Sequence, residues 1–387
     1  MKLTLRALLI ITLFSSCEKF FEFEKEVDFG QENTDNKYVI EAVIQKGYPA
    51  YAFVTKSEPY FSPVSPNTLN TIFVTDADIT ITDTDGNSVQ LININDIPSF
   101  GVLDSIAQLF PGFYIEWPID GLNISFSDQN EIDISPGPYN TIGENGEQFQ
   151  LSAIIQQDTL IAKTTIPQEH LIDSLWFELD EFTPRPNLGN FWFHYSDPDT
   201  MGNTIMIEHK RLAHTKEVFW GNEPPQGTEP NTFTVKQVQD PIYAKALWGF
   251  VRNDFEGLNG TSFDTYFQRG TISPLLSSSF DEVIFEQEEN GYFKAGQTLE
   301  GHSINVFPDT VLVRLSQIDY ESYLFWRSAD FQSSSNGNPF AEPINLQSNI
   351  ENGFGVFYGQ AAVYYKLIAK KDTTYFERYY PVITEIL

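Results

Sequence analysis

The sequence predicts an all-β protein built from two antiparallel β-sandwich-like domains. From Tyr38 onward, segments that alternate apolar and polar residues recur along the chain, and this period of two is typical of half-buried strands. Turn-forming pairs such as Asp85-Gly86 separate these segments, as expected for hairpins. Helical periodicity is confined to one passage, at 319–334. A chain of 387 residues with 41% hydrophobic residues is long enough for two cores.

The first sandwich is predicted over 37–168 and is expected to be immunoglobulin- or transthyretin-like. Asp85-Gly86 suits a type I′ turn, which needs positive φ at both central residues. Pro167 cannot donate to a ladder and should end the sheet. The alternating segments of this domain lie at 38–45, 50–57, 76–93 and 149–167.

A second β-rich domain is predicted over 169–387. Its helix near 319–334 places Asp319 at the N-cap, because aspartate accepts from the first free amides of a helix. Prolines and glycines at 338–359 predict an ordered extended loop. The strands of this domain are expected at 191–209, which holds two, and at 310–318, 361–369 and 374–383.

The N-terminus has the organisation of a bacterial lipoprotein signal peptide. Lys2 and Arg6 precede an apolar run at 7–14, which is shorter than the roughly 20 residues of a membrane-spanning helix. Two serines then lead to Cys17, the single cysteine of the chain. We therefore expect residues 1–16 to be removed and Cys17 to be acylated as a lipid anchor. The alternative is an ordinary secretory signal that happens to contain a cysteine.

An acidic tether is predicted at 17–36, directly behind the lipid attachment residue. In Bacteroidota, such an acidic patch resembles the signal that sends lipoproteins to the outer face of the outer membrane. We therefore expect a lipid-anchored protein that faces the cell exterior, and a solvated linker is the alternative. The acidic residues near the anchor are Glu18, Glu22, Glu24, Glu26 and Asp28.

The charge balance argues against nucleic acid as a partner. The chain has 23 Lys plus Arg against 53 Asp plus Glu, a formal charge of -30, which repels a phosphate backbone. Its 33 Phe, 18 Tyr and 6 Trp indicate a folded protein, since disordered acidic chains are poor in aromatic residues.

No catalytic or metal-binding motif stands out in the sequence. Phosphate-loop, nucleophile-elbow, H-E-x-x-H and CxxC patterns are absent, and the five histidines are scattered. The segment 83–87 superficially resembles a calcium loop, but its glycine is misplaced for an EF-hand. We expect no enzyme activity, no cofactor and no assigned metal ligand, while a weakly held calcium ion stays open.

An ordered set of phrases resembles one known family. YVIEAVI at 38–44, SDPDTMGN at 196–203 and a C-terminal signature follow the signal peptide in order. The set is similar to a Bacteroidota outer-membrane lipoprotein family, domain of unknown function 4249 (DUF4249), whose members are often encoded beside TonB-dependent receptors. The signature residues are Pro339, Phe340, Glu342, Pro343, Ser348, Asn349, Ile350, Gly353, Gly355 and Phe357.

The resemblance implies a function without catalysis. We expect an accessory partner of a TonB-dependent β-barrel transporter in nutrient capture, held to outer-membrane lipid through acylated Cys17, with a ligand that the sequence does not name. A structural or adhesive component of a surface assembly is the first alternative. A glycan hydrolase using two carboxylates is the second, since such acids lie far apart in sequence.

Overall fold

The computed structural model describes most of the chain downstream of the tether. The described residues are 37–57, 71–98, 107–126, 132–179, 189–220, 232–240, 243–245, 251–268, 283–287, 293–299, 302–305, 310–335, 346–368, 374–375 and 377–386. Residues singled out in the sequence that lie outside these ranges are Cys17, Glu18, Glu22, Glu24, Glu26, Asp28, Pro339, Phe340, Glu342 and Pro343. Within the described ranges, no helix is long and apolar enough to span a membrane.

The protein is all-β, as the alternating segments predict. Its strands are β1 (Tyr38–Gln45), β2 (Tyr48–Lys56), β3 (Asp78–Asp83), β4 (Ser88–Asn93), β5 (Phe113–Glu116), β6 (Ile124–Phe126), β7 (Ile132–Ile134), β8 (Gln148–Ile155), β9 (Asp158–Thr165), β10 (Ser174–Leu179), β11 (Gly189–Ser196), β12 (Thr204–Trp220), β13 (Thr232–Val238), β14 (Ala244–Lys245), β15 (Val251–Asn253), β16 (Ser262–Gln268), β17 (Val283–Gln287), β18 (Phe293–Leu299), β19 (His302–Asn305), β20 (Thr310–Ile318), β21 (Phe354–Ile368) and β22 (Thr374–Tyr375). The helices are α1 (Tyr320–Ser335) and α2 (Ile383–Ile386).

One 13-stranded sheet organises the fold, in the order β13-β12-β20-β21-β1-β2-β5-β4-β3-β8-β9, with β14 and β15 also paired to β12. Smaller sheets are β16-β11-β10-β22, β17-β18-β19 and β6-β7. Neighbouring strands run antiparallel in the pairs that flank the centre, whereas β1 and β21 run parallel. Antiparallel sandwiches were expected throughout, so the parallel pair departs from that prediction.

The first hydrophobic core lies where the main sheet turns back on itself. Alternate residues of β1 and β2, including Ile40 and Ala52, pack against Leu151 of β8 and Leu160 of β9. A bridge between Ile161 and Glu351 brings β9 beside the start of β21. These strands therefore enclose the core from both sides, in the manner of a sandwich.

The second core lies between the main sheet and the four-stranded sheet. Phe191 and Phe193 of β11 and Phe267 of β16 pack on Val313 of β20 and Tyr365 of β21. All five side chains are almost completely buried. This layer supplies the second sandwich-like unit.

Strand β21 serves both cores. Its Phe357 and Ala361 belong to the first core, while Val363 and Leu367 belong to the second. The domain boundary near residue 168 stays a prediction, but the first core takes residues from the far end of the chain. One continuous sheet thus joins the two predicted ranges.

Local predictions have mixed outcomes. The helix is confirmed as α1, and Asp319 caps it because its Oδ1 accepts from the Ser322 amide at 2.8 Å. The hairpin β3-β4 is confirmed, but the type I′ turn is wrong, since positive φ occurs at Gly86 (89°) and not at Asp85. Asp83 Oδ1 instead accepts from the Asp85 and Asn87 amides, at 2.9 and 2.8 Å, and so stabilises a longer turn.

The C-terminal part of the chain differs from prediction at two places. The expected extended loop at 338–359 is wrong from Phe354 onward, where β21 begins. The expected strand at 374–383 is reduced to β22, and irregular backbone continues to α2. Tyr379 makes an isolated bridge to Tyr364, and Pro381, which lacks an amide donor, prevents a regular ladder from continuing.

Candidate functional site

A polar centre occupies the face of the main sheet opposite the two sandwich cores. Strand alternation directs Glu208, Arg314 and Tyr364 to this face, where Glu208 pairs with Arg314 across β12-β20 and Arg314 pairs with Tyr364 across β20-β21. Apolar clusters flank the centre, with Leu312 on one side and Ile318 on the other. The polar residues are therefore enclosed by hydrophobic packing.

Arg314 and Glu208 form a buried ion pair at this centre. Arg314 is 4% exposed and Glu208 8%. The guanidinium donates to Glu208 Oε2 through Nε at 2.8 Å and through Nη2, and it lies 3.9 Å from the ring centroid of Tyr243. Burial acts to lower the pKa of Arg314, but Glu208 and nearby tyrosines raise it well above its usual value. Arg314 is thus charged, and its Nη1 is buried without a hydrogen-bond partner.

Glu41 lies on the same face and has an unusual environment. Its side chain keeps solvent contact, yet protein surrounds it closely. Burial first and the charge of Glu208 second raise the pKa of Glu41 to about 7, against the opposing effect of Arg314.

A cavity of about 200 Å³ opens beside this centre, and we call it the tyrosine pocket. Its walls come from the β1-β2 turn, the loop at 138–145, β21 and the segment that follows β22. Tyr48 and Tyr364 meet edge to face, with ring centroids 5.6 Å apart. The lining residues are Lys46, Tyr48, Pro138, Asn145, Glu169, Ala361, Ala362, Tyr364, Arg378, Tyr379 and Tyr380.

The charged groups in the tyrosine pocket are already paired. Lys46 Nζ lies 2.9 Å from Glu144 Oε2. Arg378 donates from Nη1 and Nη2 to the two carboxylate oxygens of Glu169, each at 2.9 Å. Such bidentate pairs fix both side chains. The charges at the rim of the pocket are therefore nearly balanced.

Two neutral polar atoms of the pocket residues are buried without a partner. They are the Tyr48 hydroxyl and Asn145 Oδ1. Burial raises the pKa of Tyr48 far above its usual value, so the hydroxyl keeps its proton and is a donor. An unpaired buried polar group is costly. Neither atom has appreciable accessible surface, so this cost belongs to the fold and not to ligand binding.

A buried carboxylate pair lies elsewhere, between the SDPDTMGN loop and the turn that follows β15. Asp197 and Asp254 are 7% and 4% exposed. Asp254 Oδ2 accepts from the Gly202 and Asn203 amides, both at 2.7 Å. Burial and the neighbouring Asp254 raise the pKa of Asp197 to about 6. Both carboxylates contact backbone rather than a cleft, which indicates a structural role.

We expect Asp197→Asn to stabilise the protein near neutral pH by about 1 kcal/mol. Since the folded pKa of Asp197 lies above its ordinary value of 3.8, the wild type loses stability as pH rises through about 6. The uncharged variant lacks this loss. Urea denaturation of both proteins should show a stability difference that grows between about pH 4 and 6 and stays constant above. A difference independent of pH would contradict the assignment.

The described signature residues form a structural clasp. Asn349 Nδ2 donates to the Phe357 carbonyl at 2.8 Å, and the Phe357 amide donates to Asn349 Oδ1 at 2.9 Å. Ser348 Oγ accepts from the Ile350 amide, and Ile350 is buried in the first core. A shallow depression of about 350 Å³ lies beside the clasp, but Asn349 already uses its side chain on the backbone.

The signature glycines permit close packing. A Cβ on Gly353 would lie 2.3 Å from Leu160 Cδ2, and one on Gly359 would lie 2.5 Å from the Thr165 carbonyl oxygen. Gly355 adopts φ of 112° beside Ile40. Gly355 and Gly359 lie within a central strand and Gly353 directly precedes it, so the predicted extended loop does not include the last two of these glycines.

Sequence reasoning missed the tyrosine pocket. Tyr48, Asn145, Tyr364 and Arg378 come from four distant segments, and no local spacing connects them. The tyrosine-rich stretch at 374–383 was predicted as a strand and not as part of a binding site. Within the described ranges, no group of three or more His, Cys, Asp or Glu side chains is placed to hold a metal ion.

The fold and the site define an all-β protein with an aromatic, charge-balanced pocket beside a buried ion pair. The sequence model of the family described as "Domain of unknown function (DUF4249)" matches residues 24–365. Because the match covers most of the 387 residues, the chain belongs to this family. No curated protein matches the chain.

Proposed function

We propose that this protein is a surface-exposed outer-membrane lipoprotein that captures a nutrient without altering it, as an accessory partner of a TonB-dependent transporter. The observation that carries the capture function is the tyrosine pocket, a cavity of about 200 Å³ whose walls include four tyrosines and whose charged side chains are paired at the rim. Small-molecule sites are concave, mostly aromatic or apolar, and hold a few placed polar groups. The pocket has these properties.

The pocket is better suited to holding a ligand than to proton transfer. Its carboxylate, Glu169, is engaged by both terminal nitrogens of Arg378. A general acid or base must reach the reacting atom with a free oxygen. We therefore favour a binding protein over an enzyme. This preference also applies against a glycan hydrolase, the alternative that the sequence left open.

The anchor is tested by Cys17→Ser. Without acyl chains the protein should leave the membrane fraction, since membrane affinity depends on the buried CH₂ groups. As the matched control, Glu18, Glu22, Glu24, Glu26 and Asp28 are replaced by their amides, which should keep the protein in the membrane. Protease treatment of whole cells should then degrade the wild type and spare this control variant. Retention of Cys17→Ser in membranes would contradict lipid anchoring.

The transporter partnership is tested by affinity purification of the wild type from solubilised outer membranes. A large β-barrel protein should accompany it in near-equal amount, and its absence would remove this part of the proposal. A structural or adhesive role is the second candidate, because the exposed rings of Phe255 and Tyr320 contact each other on the surface. That role predicts other surface proteins in the same purification.

A further inference from the structure

We infer that an aromatic row on the four-stranded sheet binds an unbranched, neutral polysaccharide chain. The aromatic row consists of Trp176, Trp192 and Tyr266, and it lies on the face of the sheet opposite the second core. The inference goes beyond the proposed capture function, because this second site shares no residue with the tyrosine pocket.

Strand alternation and register place the three rings next to one another. Trp176 pairs with Trp192 across β10-β11, and Trp192 pairs with Tyr266 across β11-β16. The sequence neighbours of Trp192, which are Phe191 and Phe193, belong to the second core. Successive side chains of a strand point to opposite faces, so Trp192 points away from that core. The aromatic row therefore crosses three strands on the face that the second core does not occupy.

The three rings are only partly covered by the protein, since each side chain is half-buried. The ring centroids of Trp176 and Trp192 lie 6.2 Å apart, with the ring planes inclined by 11°. Those of Trp192 and Tyr266 lie 4.6 Å apart, with an inclination of 40°. Full face-to-face contact would bring the carbon atoms of two rings to about 3.5–4.0 Å, so these rings are offset. A linear ligand that crosses the strands therefore meets three rings in succession.

Polar side chains that solvent reaches border the aromatic row on both sides. On one side, His194 Nδ1 lies 2.6 Å from Asp264 Oδ1, and the two side chains are 38% and 53% exposed. Because Asp264 engages Nδ1, the Nε2 atom of His194 remains for a ligand. On the other side, the exposed Glu178 accepts from Trp176 Nε1 at 2.8 Å and pairs with Asn190 across β10-β11.

This combination of groups matches a chain of sugar rings. A pyranose ring presents C–H groups on its faces, which pack against aromatic rings. Its edge presents hydroxyls, which both donate and accept hydrogen bonds. A glycan along the aromatic row would thus place hydroxyls beside His194 and Asn190. An aliphatic chain would also pack on the rings, but it would dehydrate the bordering polar groups without replacing their hydrogen bonds.

The size of the aromatic row argues against a protein as its occupant. An aromatic side chain buries about 150–250 Å² when it is fully covered, so three half-buried rings offer at most roughly 300 Å². A stable protein–protein interface takes about 800 Å² from each partner. To reach that area, a protein would also have to dehydrate the polar side chains on both sides. A single glycan chain needs only the rings and their borders.

The charges beside the aromatic row favour a neutral glycan. Glu178 and Asp264 border it on opposite sides, and the whole chain has a formal charge of -30. These carboxylates repel the carboxylates of a polyuronate and the phosphates of lipopolysaccharide. The ligand is therefore a neutral polysaccharide from outside the cell, and not an anionic glycan of the cell's own surface.

Isothermal titration calorimetry on the mature protein in a lipid nanodisc tests the inference, since a nanodisc avoids sugar-headed detergents. The neutral probes are mixed-linkage β-glucan, linear xylan, glucomannan and amylose. The anionic probes are polygalacturonate and lipopolysaccharide, and the second of these tests the cell's own surface as the source. At least one neutral polysaccharide should bind, and both anionic probes should bind at least about tenfold more weakly.

Trp192→Ala removes the central ring of the aromatic row. It should weaken binding of the neutral polysaccharide about tenfold or more, because Trp192 contacts both other rings. His194→Ala changes an accessible polar side chain and should weaken binding about threefold. This second variant keeps the test valid if Trp192→Ala has a lower melting temperature. Phe255→Ala is the matched control, because Phe255 is 71% exposed outside the aromatic row, and it should bind like the wild type.

Three results would overturn the inference. They are binding of no neutral polysaccharide in the panel, equal or tighter binding of an anionic probe, and unchanged affinity in both Trp192→Ala and His194→Ala. Loss of a co-purifying protein from Trp192→Ala, without loss of polysaccharide binding, would identify the aromatic row as a protein contact and would also contradict it. Polysaccharide binding without a β-barrel partner would leave the inference intact and remove only the transporter partnership.

Discussion

Replacing Arg314 by methionine is expected to lower the free energy of unfolding by about 3 to 5 kcal/mol. The variant leaves the carboxylate of Glu208, which is 8% exposed, without its charged partner. It also removes the cation from the face of Tyr243. Urea denaturation of the mature protein measures the loss. A change below about 1 kcal/mol would show that the ion pair is not held as the structure describes it.

A double-mutant cycle isolates the ion pair from packing. Glu208→Gln alone should also be destabilising, whereas Glu208→Gln combined with Arg314→Met should recover much of the loss, since neither variant residue carries a charge. If the double variant instead lost as much stability as the two single variants together, the two side chains would not interact.

Gly355→Ala is expected to destabilise the protein by about 4 kcal/mol or more, or to prevent folding. Gly355 has φ of 112°, and an added Cβ would lie 1.9 Å from the carbonyl oxygen of Ile40. The clash is with the backbone of β1, so no side chain can move aside. Yield of folded protein and thermal melting are the measurements.

Gly86→Ala is the matched control for this prediction. Gly86 also has positive φ, at 89°, but no heavy atom lies within 4 Å of the added Cβ. Only the conformational strain remains, so the cost should be about 1 kcal/mol. Equal losses of stability in the two variants would contradict the prediction. They would show that position 355 needs glycine because of its positive φ, and not because β21 lies close to β1.

Local patterns predicted the elements of this fold better than their arrangement. β1 and β20 have the predicted bounds. Alternating or β-branched residues over a short segment are enough to indicate a buried strand. The pairing of β1 with β21 had no such signal. Their contacts join residues 315 positions apart, and parallel pairing depends on the whole sheet rather than on a turn between the strands.

The site was harder to predict for the same reason. Arg314 is the single charged residue of β20, and its partner Glu208 is 106 residues away. The tyrosine pocket unites residues from 46 to 380. The abundance of acidic residues also made the ion pairs Lys46–Glu144 and Arg378–Glu169 impossible to predict. In the sequence, Glu144 and Glu169 do not differ from other surface carboxylates.

The parallel pair β1-β21 also sets an order of folding events. Ile40 and Ala42 are synthesised early, but Phe357 and Ala361, which complete their core, are synthesised more than 300 residues later. Contacts of such high contact order form slowly because a long loop must close first. The first core therefore stays open until nearly the whole chain is available.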